Sequence, residues 1–446
     1  MASDLLSIGR SGAQTARIAL DVTAQNIANA SSEGYVRRSV RLAEVSSSGG
    51  IGTIGDVSLS GVRLDSVVRN ADLFRQAEVR RTGADAARAD AEVAGLENIE
   101  SAVEQSGVYT AMVTFDGSLQ QLVGDPVSAS LRANVIEAGR TMAGTFNIAS
   151  AALDSVAQGL RFEAADGISQ VNTLAQELAR VNLRLARAAD ASSDQTALLD
   201  QRDSLLQRIS GYAALSSTID PADGTVAVTL GSPAQPLVQG GTASALGMAV
   251  NASDGTLAFD VGGAAIVLAG GALAGKAQAL TKLADTRTRL DSVADAMMQA
   301  VNDAQGAGVN LAGTTGAPMF TGTGAAGMTL ALTDGAGIAT APALALPGSR
   351  DAGNLNALRS ALAAADPTGT MDGLLFDISG TVAGRKITRD ALQTIAGSAR
   401  VSLAAQAGVD LDTEATNLIR FQQAFQASGK VMQTAKDIFD TLLAIR

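Results

Sequence analysis

Apolar and polar positions change their spacing along the chain, and each change predicts a different element. Over Met1 to Ala30, Leu6, Ala13, Leu20 and Ile27 recur every seven residues, with Gly9, Ala16, Thr23 and Ala30 three positions further on. That spacing predicts one helix with a narrow stripe of small and apolar side chains, able to lie close to another helix. Ser31, Ser32 and Gly34 break it, and Val40 to Val68 alternates between turn residues and β-prone runs such as Val57 to Leu64. Asn70 to about Ser106 has no proline and is rich in Ala, Glu, Arg and Leu, which predicts a long helix. A second follows the Gly124-Asp125-Pro126 turn; in its later part Val171, Leu178 and Leu185 alternate with Leu174, Val181 and Ala188 as a heptad seam. Thr196 to Ile209 adds another amphipathic stretch.

Between Tyr212 and Gly270 the period becomes two, with Val226, Val228 and Leu230 on one face and Asp223-Gly224 and Asp254-Gly255 as hairpin turns. Lys276 to Gln305 is helical again. Gly306 to about Thr388, rich in Gly, Ala, Thr and Pro, predicts mixed structure with one short helix from Asn354 to Ala365. The strongest periodicity lies at Asp410 to Ile445. Leu411, Leu418, Phe425, Met432 and Phe439 hold one heptad position and Phe421, Ala435 and Leu442 another, with Ala424, Val431, Ile438 and Ile445 widening the stripe. At 1.5 Å per residue this helix runs roughly 50 Å.

The fold class expected is therefore mainly α with β inserts: a terminal α-helical coiled coil, an elongated helical bundle and a small β-rich outer domain. The expected domains are an inner coiled-coil layer from 1–64 and 401–446, a bundle from 65–211 and 271–320, a β-rich insert at 212–270, and a mixed insert at 321–400 that returns to the bundle. The terminal stripes read either as an ordinary intramolecular coiled coil or as ends that fold against each other and against neighbouring subunits, largely disordered in a free monomer.

Composition narrows the chemistry. There is no cysteine and no histidine, which removes disulfides, thiolate or imidazole metal sites and imidazole-based triads. The 33 Lys+Arg against 44 Asp+Glu leave a net charge of -11, so nucleic acid is not an expected partner. No apolar run is long enough to span a membrane, and the charged first residues do not read as a cleavable signal. Gly270 to Lys276 approaches a phosphate-cradling loop, but Ala277 stands where a Mg²⁺-holding hydroxyl is needed; the alternative is a Gly-rich turn into a helix. Asp410, Asp412 and Glu414 read as helix-capping acids rather than a Ca²⁺ loop. Arg37, Arg38 and Arg41 read as a solvated basic face or a contact with acidic patches of a neighbour. Phe421 and Phe425 read as seam aromatics or as direct contacts to another subunit. No catalytic, cofactor or metal residue is expected, and a carboxylate-pair glycosidase remains the enzymatic alternative.

Gln25-Asn26-Ile27-Ala28-Asn29 followed by Gly34-Tyr35 resembles the start of the flagellar axial proteins, the rod, hook and hook-associated subunits. The Pro expected before Gly34 is replaced by Glu33, so the turn there departs from the family pattern. Gly408 to Asp412, Asn417-Leu418, Arg420 to Ser428, Gln433-Thr434-Ala435 and Phe439-Asp440 resemble the hook-associated branch, as do Leu198 to Asp203 and Gly308 to Leu311. The resemblance implies a non-enzymatic structural subunit at the hook–filament junction of the extracellular flagellum, exported by the flagellar type III apparatus. It implies self-assembly into a ring, contacts with hook protein and hook-associated protein 3, and an export chaperone on the C-terminal helix; hook protein and hook-associated protein 3 are the alternative identities. Assembly residues expected on this basis and on the heptads are Leu6, Ala13, Leu20, Asn26, Ile27, Asn29, Gly34, Tyr35, Leu411, Leu418, Phe421, Phe425, Met432, Ile438, Phe439 and Leu442.

Overall fold

The structure, a computed structural model, describes residues 2–32, 34–46, 59–188 and 193–444, with the backbone alone described at 2–4, 46, 59–60, 193 and 442–444. Glu33, the start of the Val57 to Leu64 run, Ile445 and the side chain of Leu442 lie outside the described residues. The chain divides into two compact units, one of 1–83, 171–245 and 393–446, the other of 84–170 and 246–392.

In chain order the first elements are α1 (Ala2–Ala28), an antiparallel hairpin of β1 (Arg38–Ser46) and β2 (Leu59–Arg69), α2 (Leu73–Glu104), α3 (Val108–Gly124), α4 (Ala129–Leu185) and α5 (Ser193–Tyr212). The sequence pattern did not separate α3. Gly107 adopts φ 76°, a left-handed conformation open to glycine, and so ends one helix and begins the next. Helix α4 carries the expected seam: Val171, Leu174, Leu178, Val181 and Leu185 are all buried.

The period-two segment forms two antiparallel sheets. The strands β3 (Leu215–Ile219), β4 (Val226–Leu230), β5 (Gln235–Gln239) and β6 (Thr242–Ala243) form one, in that order, within the first unit. The strands β7 (Leu246–Val250), β8 (Leu257–Val261) and β9 (Ala264–Ile266) form the other, within the second. Gly224 and Gly255 take positive φ in the two Asp-Gly turns, as the hairpin chemistry requires.

Helix α6 (Ala272–Ala307) follows, then short pairs of β10 (Gly308–Val309) with β13 (Ala341–Pro342) and of β11 (Phe320–Thr321) with β12 (Thr329–Leu330), the one-turn α7 (Gly324–Gly327) lying between β11 and β12. The chain closes with α8 (Gly353–Ala365), α9 (Pro367–Ala407) and α10 (Leu411–Ala444). Where mixed structure was expected there is thus a 41-residue helix, α9. Its glycines lower helix propensity, yet Pro367 occupies its first position and Met371, Leu374, Ile378 and Val382 bury one face. Arg385 pairs with Glu92 and Lys386 with Glu97, fastening it to α2.

The second unit owns a continuous core in which Phe115, Phe146, Phe320, Met112 and Leu290 are fully buried. Phe115 and Phe320 meet edge to face at 5.8 Å between centroids. Side chains satisfy its irregular backbone. Arg132, buried and with no carboxylate partner among the described residues, donates to the carbonyls of Pro126, Gly335 and Ile338 and to Thr340. Asn302 exchanges two bonds with the backbone of Phe320, and Asn354 donates to Ala304 and Ala339.

Candidate functional site

Helices α1 and α10 lie antiparallel, since Gly9 faces Met432, Gly12 faces Ser428 and Asn26 meets Glu414. A side chain on Gly9 would place its Cβ 2.7 Å from Met432 Cγ and 3.2 Å from the Ser428 carbonyl oxygen, so the helices approach to backbone distance there. The buried residues of α1 are Gly9, Thr15, Ala16, Ala19, Val22, Thr23 and Asn26. Those of α10 are Glu414 and Ala435, with Leu418, Phe421, Ser428 and Met432 half-buried. On the other side, Thr15 Oγ1 donates to the Val62 carbonyl of β2 and Ser11 Oγ accepts from the Val62 N–H.

This geometry divides the expected assembly residues. Leu418, Phe421 and Met432 are half-buried on α10, and Met432 lies against Gly9 of α1. On α1, Leu6 and Ile27 are 49% and 37% exposed, with Ala13 and Leu20 half-buried between them. Close approach selects Gly9, Gly12 and Ala16 for the seam and turns the larger side chains outward. Leu411, Phe425, Ile438 and Phe439 are likewise exposed. A set of large apolar side chains is thus left uncovered on both terminal helices.

At one end of the pair sits a polar node. Asn26, 1% exposed, uses all its bonding capacity: Nδ2 donates to the Arg38 carbonyl (2.8 Å) and to Glu414 Oε2 (3.0 Å), while Oδ1 accepts from Tyr35 OH (2.9 Å) and the Arg38 N–H (3.0 Å). Arg37 Nε donates to the other Glu414 oxygen at 2.7 Å, and the Arg37 N–H donates to the Ala407 carbonyl just before α10. Gly34, at φ 79°, makes the turn that delivers Tyr35, whereas Asn29 bonds locally to Gln25 and Ser32 at the end of α1. Burial raises the Tyr35 phenol above its ordinary value, against the opposing pull of Arg38.

The node continues into α5. Arg38 Nη2 reaches Asp200 at 3.0 Å; Arg69 Nη2 reaches Asp200 at 2.7 Å and Asp203 at 2.9 Å. Asp203 also accepts from Gln76 and Arg202, and Arg202 donates to the Gly224 carbonyl. Burial pushes the Asp203 carboxyl up, but the Arg202 and Arg69 guanidiniums outweigh it and hold it below the usual carboxylate value.

Two expectations change here, and one of two alternatives is selected. Arg37 and Arg38 are neither a solvated face nor free for a neighbour, because carboxylates of the same chain take both. Only part of the Asp410, Asp412 and Glu414 group caps α10: Asp410 accepts from the Thr413 N–H, while Glu414 turns inward as a buried acceptor. A glutamate one heptad step before Phe421, on an otherwise apolar seam, was the signal for this. The Gly270 to Lys276 segment is a helix-entry turn: the Gly271 N–H donates to the Ala84 carbonyl, Gly275 lies against the backbone of α2, and Lys276 pairs with Glu163. Among the described residues no three acidic side chains gather as a metal site, and no helix is long and apolar enough to cross a membrane.

Comparison with known proteins gives three family matches along the chain. Residues 93–320 match the family described as flagellar hook-associated protein FlgK helical domain, residues 6–35 the flagella basal body rod protein family, and residues 404–445 the C-terminal family of the flagellar basal body rod FlgEFG proteins. Flagellar hook-associated protein 1 of Bacillus subtilis (strain 168) is 28% identical over 241 residues, 50% of this chain and 47% of that protein. Its namesake in Escherichia coli (strain K12) is 25% identical over 249 residues, 55% of this chain and 44% of that one. The solved flagellar hook junction protein FlgK from Burkholderia pseudomallei aligns with a TM-score of 0.46 and 24% identity over 54% of this chain and 46% of its own. The chain spans about half the length of the relatives it matches. The polar node draws on all three matched segments: Asn26 and Tyr35 from the first, Asp200 and Asp203 from the helical domain, Glu414 from the last.

Proposed function

We propose, because this chain belongs to the FlgK family of flagellar hook-associated proteins, that it is a non-enzymatic structural subunit joining hook to filament in the bacterial flagellum. One observation carries the reading. The terminal helices are pinned to each other and to the first hairpin at the Asn26–Glu414 node, yet Leu6, Ile27, Leu411, Ile438 and Phe439 remain uncovered. Exposed apolar side chains on a pinned pair of helices are what an assembly contact needs: a fixed frame with an unburied face.

In this reading copies of the chain form a ring through these helices, hook protein packs on one side and hook-associated protein 3 on the other. Before assembly the C-terminal helix is held by an export chaperone and passes through the type III apparatus to the cell exterior. The residues 1–64 and 401–446 form the inner layer, and the inserts face outward.

Deleting 412–446 in a flagellated host tests it. The expected cells keep hooks but shed filaments, and the full-length chain, fluorescently labelled, gives one spot at the base of each filament. Unchanged motility of the deletion strain overturns the reading.

A further inference from the structure

Helix α9 is apolar on two faces. Met371, Leu374, Ile378 and Val382 are buried in the core of the second unit, and the edges between the faces carry the ion pairs to α2 and an Asp377–Arg289 pair to α6. The outward face holds Phe376, Gly380, Ala383 and Ile387, spaced at i, i+4, i+7 and i+11 and therefore in line. Phe376 and Ile387 are 78% and 73% exposed, and a Cβ on Gly380 would meet nothing within 4 Å. A helix apolar on every side is ordinarily covered on every side. The same unit has a surface of the opposite shape, an open groove of about 770 Å³ between α3 and α4. Gly107, Ala111, Gly117 and Ala138 keep it wide. The hydroxyls of Thr114, Ser118 and Thr145 donate to carbonyls of their own helices, so their protons need no outside acceptor. Among the residues lining the groove Glu137 alone is charged, and Arg140 pairs with it. Neither surface therefore brings an unpaired charge into a contact. They also match in length: at 1.5 Å per residue, Phe376 to Ile387 and the α4 wall from Asn134 to Thr145 each rise about 17 Å.

Area names the occupant. A strip of that length and about 10 Å wide, one helix diameter, buries on the order of 350 Å² counted over both surfaces, far below the roughly 1,200 Å² of a partner that binds stably by itself. The occupant is one that other contacts already hold in place, and in a self-assembling subunit that is a second copy. We propose that the α9 ridge of one copy seats in the α3–α4 groove of the next. Ridge and groove are different surfaces, so the contact is head-to-tail and propagates from copy to copy. It rests on the reading of the chain as a ring-forming subunit, and adds to the terminal helices a second contact made by the second unit alone.

The chain has no cysteine, so engineered thiols report the contact cleanly. Ala383 and Thr114 stand near the middle of ridge and groove, and so come together whichever way the two helices run. Intact purified chains carrying Ala383→Cys and Thr114→Cys are mixed under mild oxidant. The disulfide-linked mixed dimer is expected to form about tenfold faster than from Ala383→Cys mixed with Ser292→Cys, an exposed position on α6 outside the groove. Adding Phe376→Ser to the Ala383→Cys chain, a change at an exposed side chain, brings the rate down to that of the control. A mixed rate equal to the control overturns the proposal, as does a rate indifferent to Phe376→Ser. Ala383→Cys linking to itself as fast as to Thr114→Cys overturns it too, since the contact would then be two-fold. None of these results bears on the 412–446 deletion, which is read by filament attachment in cells.

Discussion

The core of the second unit and the α1–α10 pair bury opposite kinds of side chain. In the former Phe115, Phe146, Phe320 and Leu290 have no exposure at all, whereas in the latter Gly9, Ala16 and Ala19 are covered and Leu6, Ile27, Leu411 and Phe439 are not. Large side chains give burial energy, and small ones give backbone proximity. The first region holds its own shape through apolar area. The second is positioned by close approach and by one polar node centred on the fully bonded Asn26, with apolar area to spare. The largest expected effect therefore belongs to the first: Phe115→Ala removes an aromatic packed against Phe320 and should cost about 3–5 kcal/mol. Urea unfolding monitored through residues 84–170 checks it; a loss comparable to that of a surface substitution would erase the contrast.

At the node, Glu414→Ala strands two donors, Arg37 Nε and Asn26 Nδ2, and should cost about 2–3 kcal/mol, less than a fully enclosed pair because Arg37 is partly exposed. The loss should be local. Amide exchange accelerates in α1 and α10 while the second unit's core keeps its protection. A uniform loss of protection would mean the two regions share one cooperative unit.

What the sequence could show follows from the same contrast. Regions packed by large side chains advertise themselves by period: the α4 seam from Val171 to Leu185 and the Val226–Leu230 strand are where their spacing placed them. Helix α9 was hidden because Gly369, Gly373, Gly380 and Gly384 dilute its signal, although Met371, Leu374, Ile378 and Val382 keep helical spacing. In α1 hydropathy picks out Leu6 and Ile27, but the seam is decided by how near two backbones come, which rewards Gly9 and Gly12. The node was least legible. Asn26 and Tyr35 stood out through their motif, and Asp200 to Asp203 through another, but pairing them needs contacts between residues more than 150 positions apart, as in Arg38 with Asp200.

The seam itself is tested by Gly9→Val, whose branched side chain meets the Ser428 carbonyl and the Met432 backbone; overpacking should cost about 1–3 kcal/mol and displace α10, read as faster exchange across 411–441. Acid sharpens the node in turn. The folded Asp203 carboxyl lies below its unfolded value, so its contribution is present above the unfolded pKa of about 3.9 and is lost as pH falls through the folded one. Asp203→Asn should therefore flatten the acid limb of the stability curve below about pH 4 and leave the slope above it unchanged. An acid limb identical to wild type would show that other carboxylates govern it.

The smallest effect on stability is expected where the effect on assembly is greatest. Ile438 and Phe439 are 40% and 55% exposed, so replacing both with serine removes little buried area and should change unfolding free energy by no more than about 0.5 kcal/mol. If the uncovered face of α10 is an assembly surface, the same double variant nevertheless loses filament attachment, since association depends on a few apolar anchors. The second unit supplies the control: Leu344, on a loop, is more exposed than either, and Leu344→Ser should leave both stability and attachment unchanged. Equal loss of attachment in the two variants would mean that exposed apolar area matters wherever it lies. Loss confined to α10 would tie it to a region whose packing leaves such area in register on a pinned helix.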